Sequence, residues 1–546
     1  MGKDQSMSSR CGGFTRREVL IGGAATVAGA ALPALAQTPR RGGVLRLGLG
    51  DPRHFDPHLT LGWGTFIALS FSHSRLLRHK AGPGVVPGTF QLEGDLAESW
   101  AQTSDTTYIF KLRRGVRWHP KPPVNGRELT ADDVKFTFDR FLGPTANPNR
   151  AILEEIDQVD VLDRYTVRFT LKAPFAWFLD AVAATTAPIV AREAVEQHGD
   201  LKRPETCIGT GPWMLERYEP NARMTWVRHP DYFVPGLPYA DGVEATMQGD
   251  ASARLARWLA GQFDFAPGLG MVVRRLDLDV VRKRKPNLQT AEFLWMVNAY
   301  GAMKLDQEPF KDTRVRRALA LATNWKEMLA ASPIALGQGA PNPAVPAALT
   351  EWAIPIDQLS PSGRRLYEHD PTAARRLLAE AGYPSGLKFP LETANFGSDW
   401  TDGVQIYVSS WKEAGLDADL RIKEAGAFVS SAMLGRFERM MLAMRGGVLF
   451  PDPYLAALHV PGERTNASGV NDPKLTEMIR LQRRTFDLAR RRDIVWDIQR
   501  HLAEQVYYVY GPSARVVAAW EGHVRNFAPN LGNDYGGRLM AAWLDR

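Results

Sequence analysis

Cysteine is nearly absent from this chain. Of 546 residues only Cys11 and Cys207 carry a thiol, and Cys11 sits in an N-terminal stretch with the marks of a removable leader. Cys207 is then alone, so no intrachain disulfide can staple the fold. A lone thiol of this kind reads as a small buried apolar residue rather than a nucleophile. Long apolar runs are equally scarce. The one such stretch, Val19 to Leu35, is short, rich in Ala and Gly, and ends in Ala34-Leu35-Ala36 before Gln37, a small-x-small cleavage pattern. No later segment approaches the length of a spanning helix, so the mature protein is expected to be soluble. Cys11 precedes the apolar run, which argues against a lipid anchor. Repeats and low-complexity linkers are missing. Charge of one sign is not concentrated either: the net charge of +7 falls to +5 without residues 1–36, which hold four basic and two acidic residues. The densest basic run, Arg282-Lys283-Arg284-Lys285, abuts Pro286 without interleaved aromatics and reads as a solvated helix end, not a nucleic-acid or lipid surface. Catalytic signatures are missing as well. The mature chain has no GxSxG, HExxH, CxxC or GxxxxGK, and its eleven histidines are scattered, which disfavours an exported hydrolase.

What is present begins at the leader. Thr15-Arg16-Arg17-Glu18-Val19-Leu20 fits the twin-arginine export pattern, with Val where Phe is preferred. About 510 residues remain after it, too many for one simple core and enough for two lobes. Within them, residues 96–140 are the most informative. Tyr108, Phe110 and Leu112 alternate with polar neighbours, as in a half-buried strand. Gly115 interrupts before Val116 and Trp118. Thr130 followed by Asp133 has capping-box spacing, and Val134, Phe138 and Phe141 then share one helical face. A strand pair followed by a capped helix is the local expectation, and the class is α/β.

The wording of this segment (LAESWAQTSDTTYIFKLRRGVRWHPKPPVNGRELTADDVKFTFDR) resembles the extracytoplasmic solute-binding proteins of the peptide/nickel class of ABC importers, family 5. The resemblance continues in order along the chain. It includes the first strand Gly42 to Gly48, the loop Asp51 to His58, Ile208-Gly209-Thr210-Gly211-Pro212-Trp213, and Arg228 to Phe233. A second block starts near Trp295-Met296-Val297-Asn298 and takes in Pro309 to Leu319 and Tyr367 to Gly386. In the last of these, Asp370-Pro371 opens a helix that Gly382 closes, with Leu377 and Leu378 on its buried side. Val404 to Leu420 reads as a helix running into a strand. Pro473 to Gln505 reads as a long helical region whose arginines, including Arg490, Arg491 and Arg492, face solvent. His54, Asp56 and His58 have a metal-like spacing, which a proline-bounded turn explains more simply. The glycines of 209–211 read as a tight turn rather than a phosphate loop.

The resemblance implies a two-lobe periplasmic-binding-protein type II (Venus-flytrap) fold with an extra subdomain inserted in the first lobe. Residues 1–36 would be the leader, 37–294 the first part of lobe I with the insertion at about 76–204, 295–510 lobe II, and 511–546 the return to lobe I. The crossings are expected near 293–298 and 507–513. It further implies a periplasmic monomer that closes around a solute and delivers it to ABC-transporter permease subunits, with no cofactor, no metal and no covalent chemistry. A module reporting to a membrane sensor is the alternative partner reading.

Ligand identity departs from the dipeptide pattern. Dipeptide binders of this class hold the α-amino group with an aspartate in a "GWxxDYxDP" loop. Matched on Pro451-Asp452-Pro453, that aspartate is Leu449 here and the tryptophan is Gly446, while Asp452 matches a turn-forming aspartate. The same binders place a carboxylate-binding arginine just before the helix equivalent to Val404–Gly415, and it is missing here, since residues 393–403 contain no Lys or Arg. That stretch offers Phe396, Asp399, Trp400 and Asp402 beside Asn395. Together with Gly447, Val448 and Leu449 these are the expected ligand-binding residues. Aromatic faces with carboxylates suit a sugar, an aromatic or a cationic solute better than a zwitterionic dipeptide. An oligopeptide held by its backbone is the alternative.

Overall fold

A computed structural model describes residues 38–546 except 86–88, 144–146, 248–249 and 530–531. The leader read over residues 1–36 is outside the described residues, and among those described no helix is long and apolar enough to cross a membrane.

The chain enters on the strand Val44–Leu49, whose Leu45 and Leu47 are fully buried against Trp213 and Trp226. This strand pairs parallel with Gly242–Met247, which continues antiparallel through Arg223–Arg228 to Trp213–Glu219. A second small sheet is centred on Ser513–Trp520 and flanked by Val272–Val273 and Gln289–Leu294. The third sheet is five-stranded, in the order Leu416–Lys423, Leu387–Ala394, Met440–Arg445, Asn298–Met303, Tyr508–Tyr510. The helices Thr313–Ala322, Pro371–Glu380 and Ser398–Glu413 place Leu319, Leu378 and Trp411 in the core that also holds Phe389 and Leu442 of this sheet. Two short crossings join the second and third sheets. Residues 295–297 lead from Gln289–Leu294 into Asn298–Met303, and 511–512 lead from Tyr508–Tyr510 into Ser513–Trp520.

A four-stranded antiparallel sheet, Ala97–Ser104, Thr107–Leu112, Thr166–Leu171 and Ile156–Asp163, is built from the informative segment and its partners. Tyr108, Phe110 and Leu112 are buried on one side. The helix Ala131–Leu142 has the capping box, with Asp133 Oδ2 accepting the Thr130 amide at 2.9 Å, and it buries Val134, Phe138 and Phe141. Likewise Asp370 caps Pro371–Glu380 by accepting the Ala373 amide, and Gly382 follows in a left-handed conformation.

Several expectations are corrected. The helix expected from Val404 begins at Ser398, because Gly397 at φ +108° turns the chain earlier; Asp399, Trp400 and Asp402 are therefore helical. The region Pro473 to Gln505 is two helices, Pro473–Arg484 and Leu488–Gln505, the second capped by Asp487. Arg490 and Arg492 are exposed, but Arg491 is buried, 4.2 Å over the Trp177 ring and bonded to the Ala176 carbonyl. Lys285 ends the basic run by turning inward to Glu521 at 2.6 Å. Gly209 and Gly211 have no left-handed backbone; a Cβ at either would collide with the main chain of Ser72 and His73, so close approach explains them. Cys207 is buried beside Ser72 Oγ at 3.1 Å, and burial pushes its thiol up to about 11. Asp56 is held by Arg140 at 2.6 Å, and Arg140 also reaches His58 Nδ1 at 2.6 Å, so Asp56 and His58 tie their loop to the helix Ala131–Leu142, while His54 accepts the Asp56 amide within the loop.

Candidate functional site

The crossings line a cavity of about 540 Å³. Trp295, Val297 and Pro512 of the crossings contribute to it, with Gly48 and Trp63 on the side of the first sheet and Met444 on the side of the five-stranded sheet. Phe396 and Trp400 close one wall, their ring centroids 6.0 Å apart. The Trp400 indole is fixed by donating to Thr393 Oγ1 at 3.1 Å, and that hydroxyl donates in turn to the Leu442 carbonyl at 2.9 Å. A planar apolar face is thereby presented in one orientation, which suits stacking on a ring or a sugar face.

The expected aspartates behave differently from each other. Asp399 lines the cavity, but Arg274 stands 3.7 Å away and also holds Asp277 through two bonds of 2.6 and 3.0 Å. Its charge is therefore partly matched before any solute arrives. Asp402 is exposed and does not line the cavity.

Gly447, Val448 and Leu449 belong to a second, inner cavity of about 90 Å³. Trp63 and Met444 line both spaces, so the two groups of expected residues lie on neighbouring cavities. The loop carrying them is well anchored. Asp452 at the start of the helix Asp452–His459 is buried and accepts from Arg483 Nε at 2.9 Å and Nη2 at 3.1 Å. Tyr454 donates its hydroxyl to the Val448 carbonyl at 3.2 Å, and Phe450 stacks on Trp177 at 5.9 Å. Gly447 has φ +83°, a left-handed backbone that favours glycine, and a Cβ there would also displace the end of the Asn533 side chain.

Sequence reasoning missed Trp63, Trp295, Met444, Arg274 and Arg445 as lining residues. Trp295 and Met444 had a weak signal, since one opens a crossing and the other lies at the end of a strand just before a glycine pair. Trp63 and Arg274 carried none, because their place depends on contacts with distant parts of the chain.

The model of bacterial extracellular solute-binding proteins, family 5 Middle, matches residues 91–466. Di/tripeptide-binding protein 1 of Pseudomonas aeruginosa is 29% identical over 511 residues, covering 88% of this chain and 90% of its own. Among solved structures, the oligopeptide-binding protein AppA from Bacillus subtilis in complex with a nonapeptide superposes with a TM-score of 0.80 at 21% identity, over 93% of this chain and 100% of that one. AgaA from A. tumefaciens R10 in complex with agropinic acid gives a TM-score of 0.78 at 22% identity, over 92% and 99%. At such identities the structural likeness speaks for the fold, the mixed α/β type II periplasmic-binding-protein architecture that the sheets display. With its model matched over more than half of the sequence, the chain belongs to the bacterial extracellular solute-binding proteins, family 5, of ABC importers.

Proposed function

We propose that the protein is the periplasmic capture component of an ABC importer, taking a solute other than a simple dipeptide between two lobes and handing it to the permease. Lobe I would comprise residues up to 294 and from 511, with an insertion at about 76–204, and lobe II residues 295–510. The observation that carries the reading is the cavity of about 540 Å³ at the crossings, walled from both sides by Trp63, Trp295 and the paired Phe396 and Trp400. A solute there touches both lobes and the segments that join them, which is what coupling binding to closure requires. Nothing in this task demands bond making, and the protein acts as a monomeric binder rather than an enzyme. The twin arginines Arg16 and Arg17 support export of the folded protein to the periplasm.

Two features favour a ring-bearing or sugar-like solute over a dipeptide. Leu449 occupies the position where an amine-binding aspartate is expected, and Asp399 already faces Arg274. Mass spectrometry of small molecules released by denaturing the purified protein tests the proposal. The expected result is a stoichiometric solute that is not a dipeptide, and whose rebinding weakens about tenfold or more in Trp400→Ala, a loss of the size expected when an aromatic face is removed. Stoichiometric binding of simple dipeptides, abolished by substitutions in residues 446–452, would overturn it.

A further inference from the structure

The inner cavity carries polar atoms that the fold leaves unanswered. Thr186 and His79 are 7% and 8% exposed, and both line it. Thr186 Oγ1 and His79 Nε2 are each buried without a hydrogen-bond partner, the nearest carboxylate oxygen to the latter being Asp180 Oδ1 at 3.7 Å. Arg445 lines the same cavity, and its Nε is a third buried atom without a partner. The rest of its guanidinium is only partly engaged: Nη2 donates to the Pro453 carbonyl at 2.9 Å, and the group stands 5.7 Å from the Tyr454 ring centre. Among the described residues no carboxylate forms an ion pair with Arg445. Asp534 is also on the cavity wall, but Arg75 holds its Oδ2 and the Gly537 amide donates to its Oδ1 at 2.8 Å.

A half-buried guanidinium without a counter-ion is costly, and so is each buried donor left unmade. Arg445 Nε can only donate, and the Thr186 hydroxyl and the His79 ring can both donate. An acceptor-only group of negative charge answers all three, and a carboxylate has lone pairs for each. The size agrees. About 90 Å³ is several times the space one water needs, enough for a carboxylate and the atom that bears it.

We propose that the inner cavity is an acid subsite, in which Arg445, Thr186 and His79 hold a carboxylate of the solute whose body occupies the larger cavity. The proposal rests on the cleft being the capture site, and it goes further by assigning the solute one acidic end. Trp63 and Met444, shared by the two cavities, mark where the solute would pass between them. Leu449 on the inner wall means that no carboxylate at that position competes for the guanidinium.

The test uses sodium acetate as the probe on solute-stripped full-length mature protein, with acetamide as the neutral isostere and inorganic phosphate as the larger anion, all at matched ionic strength. Acetate at about ten times its dissociation constant is expected to raise the melting temperature by about 1 °C, reported by differential scanning fluorimetry. Acetamide and phosphate should give no such rise, and Arg445→Gln and Thr186→Val should abolish or halve it. Circular dichroism confirms that each variant is folded, and Arg445→Lys, which keeps the charge but not the Nε donor, provides a second reading. An acetate effect equal in Arg445→Gln, an equal effect of acetamide, a phosphate effect without an acetate effect, or no acetate effect in the wild type would each overturn the acid subsite. The Trp400→Ala rebinding experiment is insensitive to these outcomes, so the acid subsite can fail while the capture reading stands.

Discussion

At the scale of single residues, the site depends on charges that are settled far from it. Asp452 is fully buried, and its two bonds to Arg483 fix the end of the loop that carries Gly447 to Leu449. Replacing Asp452 by Ala would leave Arg483 with Glu154 at 2.7 Å and Glu155 at 3.5 Å but without the carboxylate that holds two of its nitrogens in a buried setting. Breaking a buried pair costs about 3–5 kcal/mol, and the surviving Glu154 contact places the expectation at about 3 kcal/mol. Urea denaturation of Asp452→Ala should report that loss, and a change below about 1 kcal/mol would show that the pair does not anchor the loop. Asp452 was legible in the sequence as a turn residue, but its partner was not, since Arg483 is thirty-one positions away. Arg491 shows the same limit. Its neighbours in sequence are exposed arginines, and its burial comes from Trp177 and Trp352 on other parts of the chain. Arg445 is a further case, because an arginine ending a strand reads as solvated until the cavity behind it is known.

At the scale of elements, local signals were dependable and junctions were not. The Thr130–Asp133 box and the Tyr108–Phe110–Leu112 alternation each involve a few adjacent residues, and each gives the element expected. The helix Ser398–Glu413 starts earlier than its apolar periodicity indicated because a single glycine torsion at Gly397 sets its start. One junction between elements carries a pH response. The turn Val460–Arg464 faces the segment Glu154–Glu155 across a cavity of about 490 Å³. Burial, together with the Glu154 carboxylate, pushes Glu463 up to about 7. Its folded-state value is thus above the ordinary 4.5, so its contribution to stability is fully present below pH 4.5 and is lost as pH rises through about 7. Wild-type protein should therefore gain stability as pH is lowered from about 8.5 to 6.5, by somewhat under 1 kcal/mol after solvent screening. Glu463→Gln should be flat over that window in thermal melts. An unchanged slope in the variant would assign the response to another group.

At the scale of the whole molecule, two connections join the proposed lobes, and both line the large cavity. Trp295 and Val297 belong to one crossing and Pro512 to the other, and all three line the large cavity. Between the proposed lobes there are also buried contacts, Arg483 with Glu154 at 2.7 Å and Arg491 over the Trp177 ring, and more exposed ion pairs, Arg53 with Glu424 at 2.5 Å and Arg274 with Asp399 at 3.7 Å. The pair of Arg53 and Glu424 is well exposed, 58% and 64% at the side chains, so it contributes at most about 1 kcal/mol and weakens with salt. In the proposed capture cycle this exposed pair is a latch that salt can loosen, added to the buried contacts. Removing one kcal/mol of closed-state preference shifts the open-to-closed ratio about fivefold. Small-angle scattering on stripped Glu424→Gln should therefore show a larger radius of gyration than stripped wild type at low salt. The two should converge when salt is raised or when the extracted solute is restored. A variant as compact as wild type at low salt would mean that closure is held by buried contacts alone, and that the solute acts only on packing already made.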